Sequence, residues 1–246
     1  MFINSFILDP TENNTMYLAA GTYIGRNDSL NHIVLDQDQY NSADHFLAFK
    51  EDFDLTVTSA HEGFGLEIMD HLTNNVAEGD TVYFYYSGHG IPAIPDNDPY
   101  ILPQDKIPDY VTDDPFFKLD NVYKTLSNSK AGKIVVMVDS CFSGATDGVS
   151  VIKGVAASRL APKKVSIDPE RMVVMTAGRD KEYSNMYQEK GHRLFSYYLM
   201  KSMIEGNRDV DTLYQEVYDQ VKSASFEMGD LKRQHPTITG NQTISL

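Results

Sequence analysis

Cysteine is nearly absent from this 246-residue chain, which has a single one, Cys141, and no tryptophan. A single cysteine excludes an internal disulfide bond, and with dispersed histidines it does not supply the ligand set of a zinc site. No segment approaches the run of about 18 apolar residues that spans a bilayer. The sequence therefore gives no sign of a fold held by disulfides or zinc, or of a membrane span.

Basic residues are also scarce, since 21 Lys and Arg face 35 Asp and Glu, for a formal net charge of -14. This charge argues against nucleic acid or an anionic membrane as a partner, and it suits a protein that attracts basic peptides. Residues 1–9 lack the basic start of a secretory signal, so we expect a cytoplasmic protein.

What the chain does contain is an alternation of short β-rich apolar runs with helical patterns. This alternation is typical of βαβ units on a mostly parallel sheet. With no linker and no repeat, we predict one α/β domain over residues 1–246, and leave open whether Phe2–Leu8 adds a strand. The six predicted strands are Met16–Gly21, Phe53–Thr58, Thr81–Tyr86, Ile134–Val138, Arg171–Ala177 and Thr237–Thr239. Apolar residues at helical spacing predict helices at 40–49, 66–76, 119–126, 194–204 and 213–221.

Two segments interrupt this alternation. Residues 91–115 contain six prolines and six aspartates, which predicts a long loop over the site, with a small hairpin at Tyr100–Pro103. Residues 144–170 lack clear periodicity. Long segments of this kind in compact domains are usually functional or mobile.

Two of the predicted strands end in a reactive side chain on a glycine-bearing turn. One runs into Ser87-Gly88-His89-Gly90 and the other into Asp139-Ser140-Cys141-Phe142-Ser143-Gly144. Sites in parallel sheets assemble just beyond the carboxyl ends of the strands. A thiol needs a base to become a nucleophile, and histidine titrates near neutral pH. The pattern predicts His89 as general base and Cys141 as nucleophile.

Glycine next to the histidine allows the backbone to approach a substrate closely. We therefore predict the N–H groups of Gly90 and Cys141 as donors to the oxyanion of the reaction. The alternative is an ordinary strand-ending turn and a small buried cysteine, each of which is common by itself. The occurrence of histidine and cysteine together, at the ends of two successive strands, favours a cysteine peptidase.

The two motifs resemble those of caspase-like peptidases (peptidase C14), particularly the metacaspases and bacterial caspase homologues. Caspases carry the histidine about 50 residues before the cysteine, and the separation here is 52 residues. Phe142 is a departure, because many metacaspases have histidine there. The likeness extends over nearly the whole chain from Met16, through the segments Leu30–Asp36, Tyr100–Asp105, Gly191–Tyr198 and His235–Asn241. It implies a caspase-type α/β/α sandwich around a six-stranded, mostly parallel sheet, with a Cys–His dyad that hydrolyses peptide bonds.

The carboxylate of Asp139 indicates which P1 side chain the peptidase prefers. Caspases have glutamine two residues before the cysteine, where it helps to bind a P1 aspartate. A carboxylate there repels an acidic P1 side chain and favours Arg or Lys. The resemblance adds an aspartate of the first helix to this S1 pocket, which is Asp36, with Asp38 as a competitor. The alternatives are a turn-capping carboxylate for Asp139 and a helix N-cap for Asp36.

The segment after the nucleophile carries the densest group of basic residues. We expect candidate self-cleavage sites there, because a basic loop beside an acidic pocket invites processing. The alternative is a solvated surface loop whose charge has no role. The residues are Lys153, Arg159, Lys163 and Lys164.

No cofactor is required by the sequence. Calcium activates many metacaspases, and the aspartates between 96 and 114 suggest it, but their spacing matches no EF-hand and favours a solvated acidic loop. The expected partners are a protein or peptide substrate with a basic P1 residue and a separate activator protein. The alternatives are a catalytically silent caspase-like interaction module and a peptidase specific for aspartate, which the charge of Asp139 opposes.

Overall fold

The structure is a computed structural model that describes residues 3–9, 15–20, 54–58, 76–94, 96–102, 108–142, 145–146, 149–150, 165–179 and 182–246. The helices within these ranges are α1 (Leu119–Ser127), α2 (Leu194–Ile204) and α3 (Val210–Glu227), with short 3-10 helices at 108–113, 115–117, 188–190 and 230–232. The strands are β1 (Ile3–Asp9), β2 (Thr15–Ala20), β3 (Asp54–Thr58), β4 (Thr81–Ser87), β5 (Gly90–Pro92), β6 (Pro99–Ile101), β7 (Lys133–Asp139), β8 (Ala145–Thr146), β9 (Val149–Ser150), β10 (Met172–Thr176), β11 (Met186–Tyr187), β12 (His192–Arg193) and β13 (Thr237–Gly240).

The central sheet has seven strands in the order β13-β10-β7-β4-β1-β2-β3. Strands β4, β7 and β10 pair in parallel, as do β2 and β3. Strand β1 is antiparallel to both β2 and β4, and β13 is antiparallel to β10. The mostly parallel α/β fold is confirmed. All six predicted strands are present, and β1 adds a seventh between β2 and β4.

The strands that carry the site are buried on both faces, as expected for parallel strands between helical layers. Their side chains alternate between the two faces. On one face Phe84, Val136 and Val174 belong to the core that α1 covers. On the other face Tyr85 and Met137 belong to the core that α2 and α3 cover. The layers are therefore helix, sheet and helix.

The helices follow their apolar spacing. Helix α1 buries Leu119, Val122, Tyr123 and Leu126, one stripe of the surface. Helix α3 begins at the cap residue Asp209, whose carboxylate accepts a hydrogen bond from the N–H of Thr212 at 2.9 Å. No helix in the described ranges is long and apolar enough to cross a membrane. The predicted helix at 40–49 lies outside the described residues, and so do residues 66–75 of the helix predicted at 66–76.

The segment 91–115 contains more regular structure than a loop. Strands β5 and β6 pair as an antiparallel hairpin next to His89. After it, the Asp114 carboxylate caps a 3-10 helix by accepting from the N–H of Phe116 at 3.0 Å. Lys118 forms an ion pair with Asp98 at 2.6 Å, which ties the hairpin to the start of α1.

Arg171 fastens the start of β10 to the chain between α1 and β7. Its guanidinium donates to the carbonyl oxygens of Ser127 at 2.7 Å and Ala131 at 2.8 Å, and to that of Ser129 at 3.3 Å. Asp168 pairs with the same guanidinium at 2.9 Å. One side chain thus satisfies three carbonyls near the end of α1.

Candidate active site

The register of β4 against β7 brings the ends of the two motif strands together. Ser87 is paired with Asp139 at the last position of both strands. The N–H of Gly88 then donates to the carbonyl of Asp139 at 3.2 Å. His89 and Cys141 each follow this pair by two residues. The two turns therefore begin side by side at the carboxyl edge of the sheet.

A buried tyrosine fixes the backbone of the histidine turn. The hydroxyl of Tyr86 donates to the carbonyl of His89 at 2.7 Å and accepts from the N–H of Leu102 at 3.1 Å. The same N–H also donates to the His89 carbonyl, at 3.0 Å. Tyr86 and the β5–β6 hairpin together hold the backbone that carries the imidazole.

The environment of His89 favours the neutral imidazole. Burial lowers the pKa of His89 below its ordinary value of 6.5, and the positive charge of Arg193 lowers this pKa further. The ring is therefore uncharged at neutral pH, the form in which it accepts a proton.

Cys141 is buried, with 6% of its surface exposed. Its neighbour Phe142 packs against Gly90, because a Cβ at position 90 would lie 2.8 Å from the Cε1 atom of that ring. Real Cβ atoms do not make contacts that short. The absence of a side chain at Gly90 is what allows the two turns to approach each other here.

A cavity of about 530 Å³ lies beside Cys141 on the α1 side of the sheet. Its walls include Tyr123 of α1 and Thr176 at the end of β10. Ser140 also lines it, and its buried hydroxyl has no hydrogen-bond partner among the described residues. Asp139 belongs to the opposite face of β7, because successive side chains of a strand alternate. The cavity is therefore separate from the surroundings of that carboxylate.

Asp139 is completely buried. Its Oδ1 accepts a hydrogen bond from the Ser184 hydroxyl. Its Oδ2 accepts from the N–H of Ser196 at 2.8 Å and from the hydroxyl of the same residue. Burial raises the pKa of the carboxyl, while Arg193, Ser184 and Ser196 oppose that rise. Buried carboxylates require such donors, and this one has three.

Arg193 is a buried cation close to both motifs, with 6% of its surface exposed. Its Nη1 donates to the carbonyl oxygen of Ser184 at 2.9 Å and to the hydroxyl of Ser184 at 3.2 Å. No role for Arg193, Ser184 or Ser196 was predicted from the sequence. A charged residue directly before the apolar start of α2 was the available signal for Arg193, whereas Ser184 carries no signal in the sequence.

A second buried polar residue holds the segment that contains Ser184. The side-chain carbonyl of Gln234 accepts from the backbone N–H of Asn185 at 2.9 Å. Its amide nitrogen donates to the carbonyl of Ala177 at 2.8 Å. Beside it, Glu182 pairs with His235 at 2.7 Å. Ala177, Glu182 and Asn185 are thereby attached to the segment before β13.

Besides these groups, the sequence predicts a second S1 carboxylate and self-cleavage sites, and some of its aspartates suggest calcium. Asp36 and its competitor Asp38 lie outside the described residues, and so do Lys153, Arg159, Lys163 and Lys164. Of the acidic residues suggested for calcium, Asp98 pairs with Lys118 and Asp114 caps a helix. Within the described ranges, no group of three or more His, Cys, Asp or Glu side chains is arranged to hold a metal ion.

Comparison with known proteins identifies the family. No curated protein matches the chain. Among solved structures, the protein GSU0716 from Geobacter sulfurreducens is similar with a TM-score of 0.55 at 18% identity, over 84% of this chain and 85% of that one. Caspase-1 from Spodoptera frugiperda is similar with a TM-score of 0.52 at 16% identity, over 82% of this chain and 76% of that one. These likenesses show the fold. The model of the caspase domain matches residues 50–245, and the chain therefore belongs to the caspase domain family of cysteine peptidases, peptidase C14.

Proposed function

We propose that this protein is a cysteine endopeptidase in which His89 is the general base and Cys141 the nucleophile. The observation that carries the proposal is the pairing of Ser87 with Asp139, after which both turns begin side by side. The lowered pKa of His89 supports it, since a neutral imidazole can take the thiol proton.

The reaction follows from these roles. As the Cys141 sulfur attacks the scissile carbonyl carbon, His89 takes the thiol proton and then gives it to the leaving amine. The C–N bond breaks and a thioester to Cys141 remains. Water, deprotonated by His89, attacks the thioester, which releases the carboxylic acid and the thiol.

Gly90 and Cys141 supply the oxyanion donors in this proposal. In an antiparallel hairpin, hydrogen-bonded residue pairs alternate with pairs that share no hydrogen bond. Leu102 donates its N–H to the carbonyl of His89, so the next pair, Gly90 and Ile101, is one that shares no hydrogen bond. The β5–β6 ladder therefore does not use the N–H of Gly90. A donor on a backbone held by Tyr86 suits an oxyanion, because it needs no rearrangement during the reaction.

The preferred P1 residue in this proposal is Arg or Lys, bound by Asp139 and assisted by Asp36. Support comes from the position of Asp139, two residues before the nucleophile and paired with the strand that leads to the base. A buried carboxylate attracts a guanidinium strongly because little water screens the two charges.

The test is a panel of fluorogenic peptides with P1 Arg, Lys, Asp or Ala, assayed with and without calcium. Cys141→Ala and His89→Ala are the controls. We expect cleavage after Arg and Lys that both substitutions abolish, and Asp139→Asn to remove the preference for these residues. Comparison of Asp36→Asn with Asp38→Asn assigns the second carboxylate.

Cleavage only after Asp would refute the role of Asp139 and leave the dyad in place. No cleavage in any condition, with no labelling of Cys141 by a peptidyl chloromethyl ketone, would favour the silent interaction module. In that case, an activator protein is sought by adding fractionated extract to the wild type and to the Cys141→Ala variant and measuring peptide cleavage in both.

We also propose self-cleavage after the basic residues that follow the nucleophile. The proposal rests on their P1 chemistry. Intact-mass analysis of the purified wild type should show cuts after Lys153, Arg159, Lys163 or Lys164, whereas the Cys141→Ala variant stays whole. An uncut wild type that is active on peptides would show that processing is not required.

A further inference from the structure

A buried arginine lies next to the carboxylate that we assign to the P1 residue. Asp139 is completely buried and Arg193 has 6% of its surface exposed. Charges are removed from water at high cost, so a buried cation and a buried carboxylate are expected to compensate each other. Arg193 is therefore part of the environment that any P1 side chain meets.

One hydroxyl links the two charges. Nη1 of Arg193 donates to the Ser184 hydroxyl at 3.2 Å, and that hydroxyl donates to Oδ1 of Asp139. A hydroxyl has a single proton to donate, so the bond accepted from Arg193 directs the proton of Ser184 toward the carboxylate. The carbonyl of Ser184 accepts a second bond from the same Nη1, at 2.9 Å, which fixes the guanidinium.

The carboxylate is already well supplied with donors. Ser196 occupies Oδ2 through its N–H and its hydroxyl, and Ser184 occupies Oδ1. An incoming guanidinium must therefore displace the Ser184 hydroxyl to make a bidentate contact. It must also approach a second positive charge, that of Arg193, which opposes the rise in the pKa of Asp139 that burial causes.

We propose that Arg193, acting through Ser184, is a specificity-determining residue that compensates the charge of Asp139 and so weakens selection for a basic P1 side chain. This inference rests on the proposed P1 role of Asp139. The arrangement makes the surroundings of Asp139 polar and nearly neutral. Neutral P1 side chains that donate hydrogen bonds are then accepted more readily than an uncompensated carboxylate would allow.

The test measures how well the enzyme distinguishes a charge at P1. Two peptides are used that differ only in P1 arginine or citrulline, its neutral analogue of the same shape. In Arg193→Gln we expect the ratio of kcat/KM for arginine over citrulline to rise at least about tenfold, mainly through KM. In Ser184→Ala, which frees Oδ1 but keeps both charges, we expect a rise of at least about threefold.

Two further variants test whether the effect is specific to the positive charge at position 193. Arg193→Lys retains the positive charge and should keep a ratio close to that of the wild type. Lys201→Gln removes a cation of α2 whose side chain is 39% exposed and pairs with Glu205, and it should leave the ratio unchanged. Thermal melting identifies any variant that does not fold, and Ser184→Ala tests the proposal if Arg193→Gln is one of them.

An unchanged or smaller ratio in a folded Arg193→Gln or Ser184→Ala protein would overturn the inference. In that case Arg193 serves to keep Asp139 ionised, or does not act on P1. Asp139→Asn separates this failure from failure of the proposed function. If Asp139→Asn does not reduce the ratio, the P1 role of Asp139 is wrong.

The same comparison is made by binding, so that it does not depend on turnover. Calorimetry of the two peptides with Cys141→Ala protein, with and without Arg193→Gln, should show the same tenfold increase in preference for arginine. Equal preference with and without Arg193 in this measurement would also overturn the inference, whatever the activity of the wild type.

Discussion

Phe142 packs its ring against Gly90, so that the residue after the nucleophile contacts the residue after the base. We predict that Gly90→Ala lowers kcat/KM at least about tenfold, because small displacements of reacting groups are costly. The new methyl group would lie 2.8 Å from a ring carbon and force the two turns apart. Steady-state kinetics on a P1 arginine peptide measure the effect.

A second substitution distinguishes this steric cause from a requirement for glycine itself. Phe142→Leu in the Gly90→Ala background removes part of the ring and should recover a substantial part of the lost activity. Phe142→Leu alone should have a smaller effect than Gly90→Ala. Equal activity of Gly90→Ala with and without Phe142→Leu would show that contact with the ring is not the cause.

Tyr86→Phe should impair both stability and catalysis. The hydroxyl of Tyr86 bonds the backbone of His89 and of Leu102, and a hydrogen bond of this kind contributes about 0.5–1.5 kcal/mol to stability. Urea denaturation should show a loss in this range, and kcat should fall while KM changes little. Tyr83→Phe is the control on the same strand, since no hydrogen bond of its hydroxyl to a described residue is seen. Equal kcat in the two variants would contradict the positioning role.

The pH profile reports on His89. A base must be unprotonated, and because the pKa of His89 is lowered, activity should persist to lower pH than for an ordinary histidine. We expect the acid limb of kcat/KM to have its midpoint below 6.5. A citrulline peptide is the suitable substrate, because its binding does not depend on the charge of Asp139.

Arg193→Gln should move that midpoint upward, because Arg193 is one cause of the lowered pKa. The midpoint should remain below 6.5, since burial is the larger cause and is retained. A wild-type midpoint at or above 6.5 would contradict the assignment of His89 as the base in this environment.

Gln234→Leu should destabilise the protein by about 2–5 kcal/mol, because it leaves at least two buried backbone groups unsatisfied. These are the carbonyl of Ala177 and the N–H of Asn185. Gln220→Leu, at an exposed position of α3, should change the free energy of unfolding by less than about 0.5 kcal/mol. Similar losses in the free energy of unfolding from both substitutions, measured by urea denaturation, would show that the buried amide of Gln234 does not stabilise the protein.

The sequence was sufficient for the elements whose pattern is local. Apolar runs located the strands that carry His89 and Cys141, and helix α2 begins and ends at the predicted residues. Helix α3 is longer than the predicted Leu213–Val221, because apolar spacing marks only the buried face while Asp209 sets the start. The position of β1 depends on pairing with β4, far along the chain, which no local pattern encodes.

The same distinction applies to the site. The role of Asp139 was predicted from its place beside the nucleophile, and that role stays a prediction. Its hydrogen bonds come from Ser184 and Ser196, 45 and 57 residues away in the sequence. Such contacts exist only after the sheet has formed and α2 has packed on it. For this reason the charge of Arg193 could not be placed beside Asp139 from the sequence.

The contacts of Arg171 would help to hold the two fragments of a cleaved chain together. A break anywhere between 151 and 164 would divide the protein between β7 and β10, yet these strands are paired at five positions. Arg171, on the second piece, also holds three carbonyls of the first. The two fragments would therefore stay associated without a covalent link, eluting as one species of unchanged size and separating only on a denaturing gel.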